Sequence, residues 1–319
     1  MDKQNFPFSH RPVMAKEAVD GLRINPRGVY VDGTLGGGGH ALYIARQLTA
    51  GRLIGIDRDG DAIDAASEKL RQYEKVFTAV RGNFTDTREI LGLLRIPGID
   101  GMLLDLGVSS YQLDEPSRGF SYMHDARLNM RMDDRSALDA YTVVNHYTEK
   151  RLTEIFFSYG EERYAKRIAR AIISSRDVSP VETTFQLSEI ITAAVPAKAR
   201  YEQGHPAKRV FQAIRIEVND ELSRLDASLR DITRLLNPGG RLCVITFHSL
   251  EDRIVKRCFK NLADPCECPR DLPYCVCGKK PSLNLITRKA LTPGEAELSL
   301  NRRAHSAKLR VAERTGNLE

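Results

Sequence analysis

Residues 29–40, VYVDGTLGGGGH, restrict the folds open to this chain more than any other stretch. Val29, Tyr30 and Val31 favour a strand, Asp32 ends it, and five glycines crowd the loop that follows. The next residues, ALYIARQL, read as a helix with Leu42, Ile44 and Leu48 available for packing. Strand, glycine loop and helix form the opening unit of a nucleotide-binding α/β fold. Glycine serves there because the backbone turns sharply and lets a ligand approach without meeting a Cβ. A second apolar run, RLIGIDRD, ends at Asp57. An acid at that strand tip can accept hydrogen bonds from both hydroxyls of a ribose. The loop, D-G-T-L-G-G-G-G, lacks the G-x-G-x-x-G spacing of dinucleotide binders and opens on an acid. That acid suits a ligand with a cationic amino-acid tail, such as S-adenosylmethionine, better than a pyrophosphate.

Further segments point to the same sheet edge. VFTAVRGNF predicts a third strand running to Asn83 and Phe84, where Phe84 either covers an adenine ring or belongs to the core. IDGMLLDLGVSS reads as a buried parallel strand, continuous in apolar residues through Met102, Leu103 and Leu104. It delivers Asp105 to the carboxyl edge, where open α/β sheets hold their ligands. Asp32, Asp57, Phe84 and Asp105 therefore converge. A later strand, RLCVITF, ends in His248, Ser249, Leu250, Glu251, Asp252 and Arg253, a candidate catalytic or substrate-contact cluster. A serine hydrolase is excluded because no G-x-S-x-G elbow surrounds the serine.

Between these strands the character changes. Residues 114–209 show helical patterns and no buried strand, so they read as an all-helical insertion into a sheet domain made of residues 1–113 and 210–319. In EERYAKRIARAIISSR, Ala165, Ile168, Ala169 and Ile172 share one face. Arg163, Lys166, Arg167 and Arg170 form a basic stripe at helical spacing, which fits either a solvated face or a nucleic-acid contact. Residues 10–22 predict a lead-in and a helix. Phe211, Ile214, Val218, Leu222, Leu225 and Leu229 predict one long amphipathic helix, and Asn237–Gly240 a turn.

Charge and composition narrow the function classes. The net charge of +6 favours a polyanionic partner only mildly. No run approaches the ~18 consecutive apolar residues of a membrane span. The N-terminus has no apolar signal core, so a cytoplasmic protein is expected. Cys243 and Cys258 read as buried thiols. Cys266, Cys268, Cys275 and Cys277 form two C-x-C pairs around Pro269 and Pro273, a set that either closes on a structural zinc or is a cysteine-rich loop. The basic tail, with Arg302, Arg303, Lys308, Arg310 and Arg314, reads as phosphate-binding or solvated.

Taken together, HRPVM, YVDGTLGGGGH, IDRD, LLDLGVSSYQLDEPSRGFS, MRMD, YGEERYAKRIARAI, HPAKRVFQAIRIEVNDEL, GGRLCVITFHSLEDRIVK and AHSAKLRVAER resemble the bacterial MraW/RsmH family. These are the cytosine-N4 methyltransferases of small-subunit ribosomal RNA, and the resemblance covers nearly the whole chain. It implies a Rossmann-like methyltransferase sheet domain that binds S-adenosylmethionine, with an inserted helical domain for rRNA recognition. The implied substrate is one cytidine in the decoding region of 16S rRNA in the small ribosomal subunit. Carried over by motif, the cofactor contacts fall on Gly38, Gly39, His40, Asp57, Phe84, Asp105 and Gln112. The oligomeric state stays open, a homodimer included. One departure is Arg127-Leu128-Asn129-Met130, where the family usually has Pro-Leu-Asp-Met.

The chemistry selects further residues. A cytosine amino nitrogen is a poor nucleophile because its lone pair is delocalised, so acceptors that hold its hydrogens should help it attack a sulfonium methyl. No Asp/Asn-Pro-Pro-aromatic loop is present; DLGVSS stands in its place. Asp105 is therefore the first catalytic candidate and His248 the second. Two other readings compete: a nicotinamide dehydrogenase, disfavoured by the glycine spacing, and a non-catalytic RNA-binding ribosome-assembly factor.

Overall fold

β-branched and aromatic residues at 29–31 start a sheet whose five central strands run parallel. The computed structural model describes residues 12–201, 204–269 and 274–317; His10 and Arg11 of the HRPVM motif, and the N-terminal segment read for a signal, lie outside them. In chain order the first elements are α1 (Ala15–Leu22), β1 (Val29–Asp32), α2 (Gly39–Ala45), β2 (Arg52–Asp57), α3 (Gly60–Lys69), β3 (Phe77–Arg81), α4 (Thr87–Leu93) and β4 (Ile99–Asp105). Six helices follow: α5 (Ser110–Asp114), α6 (Ala140–His146), α7 (Glu149–Ser158), α8 (Ala165–Arg176), α9 (Thr184–Ala194) and α10 (Ala207–Asn219). The chain then returns through α11 (Leu225–Leu235), β5 (Leu236–Thr246), α12 (Ser249–Ala263), β6 (Leu283–Leu285), α13 (Glu295–Leu300) and β7 (Lys308–Arg314).

The seven strands lie in the order β3-β2-β1-β4-β5-β7-β6, with β7 antiparallel to both β5 and β6. This is the Rossmann-like sheet expected from the glycine loop. Its order reverses beside β1, which puts the tips of β1 and β4 at the switch point where such sheets bind ligands. Apolar residues of α1, α2 and the strands, among them Leu22, Ile44, Leu53 and Leu103, fill the core on one face.

Contacts divide the chain into two units, Met1–Gly107 with Arg224–Glu319, and Val108–Ser223. The composition had suggested boundaries at 114 and 209. The second boundary falls later because α10 buries Val210, Phe211, Ile214 and Val218 in the helical core with Ile168 and Ile172 of α8. Each such isoleucine contributes about 1.5–3 kcal/mol by burial.

Two local expectations are corrected. The long helix over 211–229 is two helices: Asp220 takes a left-handed φ of 48° and ends α10. Asn219 locks that end by donating to Met130 O at 2.8 Å and accepting from Met132 N at 2.7 Å. An apolar period continued through 225 and 229 because α11 has its own buried face, Leu225, Leu229 and Ile232. The turn at Asn237–Gly240 exists, but inside β5, as a bulge where pairing jumps from Ile99–Leu236 to Gly101–Arg241.

Candidate active site

The glycine loop that follows β1 is pinned to the ends of two neighbouring strands, β2 and β4. Gly33 N donates to Leu103 O at 2.9 Å, Leu35 N to Ile56 O at 3.0 Å, and Gly36 N to the Asp57 carboxylate at 2.8 Å. Thr34 Oγ1 accepts from Asp105 N at 2.6 Å. Gly38 has φ 72°, and a Cβ there would lie 3.1 Å from that of Ala66 on α3. A Cβ on Gly39 would lie 3.1 Å from Pro12. The two glycines read as cofactor contacts thus also satisfy a packing demand, the close approach of α3 and of residue 12.

Around this loop Asp32 is buried and Asp57 and Asp105 are half-buried, with little among the described residues to neutralise them. Asp32 is 1% exposed; Thr34 N donates to its Oδ1, while its buried Oδ2 has no hydrogen-bond partner. Burial and the neighbouring Asp57 push its carboxyl up to about 7, against the pull of backbone amides. Asp57 is raised as well, mainly by burial, although Gly36 and Asp59 donate amides to it. Asp105 rises well above the carboxylate range through burial, Asp32 and Glu251, and its Oδ1 is also buried without a partner. His40 Nδ1 lies 3.7 Å from Asp105 Oδ2. Its Nε2 donates to Val13 O at 2.9 Å, and burial drives the imidazole down to about 4, so the ring is neutral near pH 7. Shielded acids of this kind fit a cationic ligand. The sulfonium and ammonium of S-adenosylmethionine would offset charge that the described residues here leave uncompensated, and Asp57 keeps lone pairs for ribose hydroxyls.

Phe84 follows β3 in a short turn, is 8% exposed, and its Cβ would sit 3.1 Å from a Cβ on Gly33. Gln112 lies in α5, in the helical unit, where its Oε1 accepts from Ser109 N at 3.1 Å and the Gln112 amide donates back to Ser109 Oγ. Asn129, the departure from the family pattern, builds a turn: its Oδ1 accepts from Arg131 N and Nε at 3.2 and 2.9 Å.

The His248 cluster begins a helix. His248 is the N-cap of α12 and accepts from Glu251 N through Nδ1, while Glu251 Oε2 accepts from the amides of Phe247 and His248. Asp252 pairs with Arg310 Nε at 2.8 Å and Lys308 Nζ at 3.3 Å. The basic tail is corrected in part by the same contacts. Arg310 and Arg314 are 8% and 7% exposed, and Arg314 Nη1 donates to the carbonyls of Thr233, Arg234 and Leu236 at the end of α11. Neither is available as a solvated cation. Cys243 and Cys258 are buried, as expected, and burial pushes the Cys243 thiol far up. Cys266, Cys268, Cys275 and Cys277 converge in the connection from α12 to β6.

A family model described as the MraW methylase family matches residues 7–315. The chain belongs to the MraW methylase family. The chain is 54% identical over 96% of its length to a protein of Lachnospira eligens named ribosomal RNA small subunit methyltransferase H, of which 98% is covered. A protein of the same name from Carboxydothermus hydrogenoformans is likewise 54% identical, with 96% and 98% covered. Another, from Clostridioides difficile, is 52% identical over 96% of this chain and 99% of its own. Among the described residues, no helix is long and apolar enough to cross a membrane. Sequence reasoning missed Thr34, which anchors Asp105, and the capping role of Glu251. An acid three residues after an N-cap position is a recognised helix-start signal, so Glu251 was findable. Thr34 was not, because its partner is distant in sequence.

Proposed function

We propose that the protein transfers the methyl group of S-adenosylmethionine to the exocyclic N4 of one cytidine in the decoding region of 16S rRNA, acting on the small ribosomal subunit in the cytoplasm. The observation that carries this reading is the match at 54% identity over 96% of the chain to proteins named ribosomal RNA small subunit methyltransferase H. The acids at the tips of β1, β2 and β4 support the cofactor.

Bound there, S-adenosylmethionine would supply an electrophilic methyl group on a sulfonium whose positive charge disappears on transfer. Asp32 and Asp105 balance the cationic ligand, and Asp57 holds its ribose. Asp105 then accepts hydrogen bonds from the cytosine amino group, and its raised proton affinity suits it to take the proton that nitrogen sheds. The target base must leave its stack to reach the methyl. In the helical unit Arg163, Lys166, Arg167 and Arg170 are all exposed along α8 and its approach. A shallow recess that includes Arg163 is also lined by Tyr164, His205 and Arg209. These cations suit contacts to rRNA phosphates, which makes binding salt-dependent.

The test uses small subunits from cells lacking this activity, the full-length protein and isotope-labelled S-adenosylmethionine, followed by mass spectrometry of nucleosides. The expected product is one labelled N4-methylcytidine per particle. Label on another nucleoside overturns the substrate assignment. Calorimetry showing no binding of S-adenosylmethionine overturns methyl transfer and favours a non-catalytic assembly factor. Arg163→Glu, Lys166→Glu and Arg170→Glu combined should depress methylation of particles and leave cofactor affinity unchanged; normal methylation would make the stripe a solvated face.

A further inference from the structure

Among its described residues, the 264–281 excursion between α12 and β6 has no core. Its two ends are already joined, because Ser282 N donates to Leu262 O at 2.9 Å. None of the described residues from 264 to 281 is buried, and Tyr274 and Val276 are 81% and 77% exposed. Hydrophobic burial therefore cannot order this excursion, and small coreless segments depend on a cross-link or a metal.

Its cysteines offer one. The four Sγ atoms of Cys266, Cys268, Cys275 and Cys277 all lie within 4.8 Å of one another. Cys266 to Cys275 is 3.6 Å, Cys268 to Cys275 is 3.8 Å, Cys275 to Cys277 is 3.4 Å and Cys277 to Cys266 is 3.9 Å. Four sulfurs placed tetrahedrally about 2.3 Å from a zinc ion are about 3.8 Å apart along each edge. The observed separations bracket that value. Sulfurs ligating a [4Fe–4S] cluster would stand farther apart, since each binds a different iron.

Backbone amides complete the arrangement. Val276 N donates to Cys268 Sγ at 3.3 Å, the amide of Cys268 donates to Cys266, and those of Glu267 and Lys279 donate to Cys277. Amide donors aimed at sulfur stabilise thiolates and fix their directions, as outer-shell partners of metal ligands do. Lys279 pairs with Glu267 at 2.6 Å, and Lys280 follows it. Cations there moderate the negative charge that four thiolates around a divalent ion retain.

We propose that Cys266, Cys268, Cys275 and Cys277 bind one zinc ion as four thiolates, and that this metal orders the connection between α12 and β6. The site is structural. All four positions are filled by protein, which leaves none for water or substrate. It lies apart from the acids of the glycine loop in sequence and stands or falls independently of the methyl-transfer reading.

Full-length protein made without a histidine tag in zinc-supplemented medium should contain about one zinc per chain by elemental analysis. Its four thiols should resist a thiol reagent until a chelator is added. Cobalt exchanged into the site should show thiolate-to-metal charge transfer and the visible bands of a tetrahedral centre. Cys266→Ser with Cys277→Ser should lose the metal and expose residues near 265–280 to protease, with the circular dichroism of the sheet unit retained. Should that variant fail to fold, the cobalt spectrum of the unaltered protein still decides. Metal far below one per chain, with the thiols reacting at once, overturns the proposal. An intact mass lowered by four hydrogens in metal-free protein also overturns it, in favour of two disulfides. Iron in place of zinc overturns the choice of metal.

Discussion

Asp252 and Asp32 belong to the same unit, and both side chains are largely removed from water, yet the fold treats them in opposite ways. Asp252 sits between Arg310 and Lys308. Burial alone would raise its pKa, but those two cations more than offset it and hold the group below the usual carboxylate range. Asp32 has backbone amides only, leaves one oxygen unpartnered and is pushed up to about 7. Asp105 resembles Asp32 in this. An acid sealed together with its counterion completes the protein's own electrostatics. An acid shielded without one marks a place for a cation that the described residues do not supply.

The comparison can be broken most severely at Asp252. Asp252→Ala leaves Arg310 nearly buried and unpaired, which should cost about 3 kcal/mol of stability or more. Denaturant unfolding should show that loss, with the affinity of the folded protein for S-adenosylmethionine unchanged. A weakened affinity would place Asp252 in the binding site after all.

Asp105→Ala should do the reverse. Stability should hold or rise because an uncompensated acid is gone, whereas kcat for methylation should fall on the order of a hundredfold. Near-normal turnover would remove Asp105 from catalysis. Asp57→Ala removes both an acceptor for ribose hydroxyls and the tether of the Gly36 amide. A charge-assisted bond contributes roughly 1.5–3 kcal/mol, so calorimetry should show cofactor binding weakened about tenfold or more. Unchanged affinity would reassign Asp57 to the loop alone.

The smallest effect is the pH dependence of binding. The raised carboxyl of Asp32 is protonated in part of the ligand-free protein below about pH 7, and a cationic ligand must displace that proton. Affinity should therefore increase as pH rises through about 7 and level off above it, by less than tenfold per pH unit. His40 does not supply this step, because it titrates near 4. Asp32→Asn should weaken binding and flatten the profile. A variant that keeps the step would trace it to another group.

The placement of the acids was legible in the sequence. Asp32, Asp57 and Asp105 stand at strand tips because each follows an apolar run and precedes glycine, a basic residue or a turn, a pattern local in sequence. At His248 the sequence showed a histidine beside a serine and two acids, and the structure adds that its ring and Glu251 cap α12. The tail arginines misled because their partners, Asp252 and the carbonyls ending α11, lie 58 and about 80 residues away.

By itself the sequence determined the parallel α/β sheet, the helical insertion and the acids of the carboxyl edge, since apolar period, glycine spacing and charge act over a few neighbouring residues. The tertiary structure decided which charges are spent inside the fold. It paired Arg310 with Asp252, left Asp32 and Asp105 without a cationic partner among the described residues, ended α10 at Asp220, and brought four sulfurs to within 4.8 Å of one another. Those outcomes depend on which distant groups share a small volume, because burial and counterions set the state of a charge more than its neighbours in the chain do.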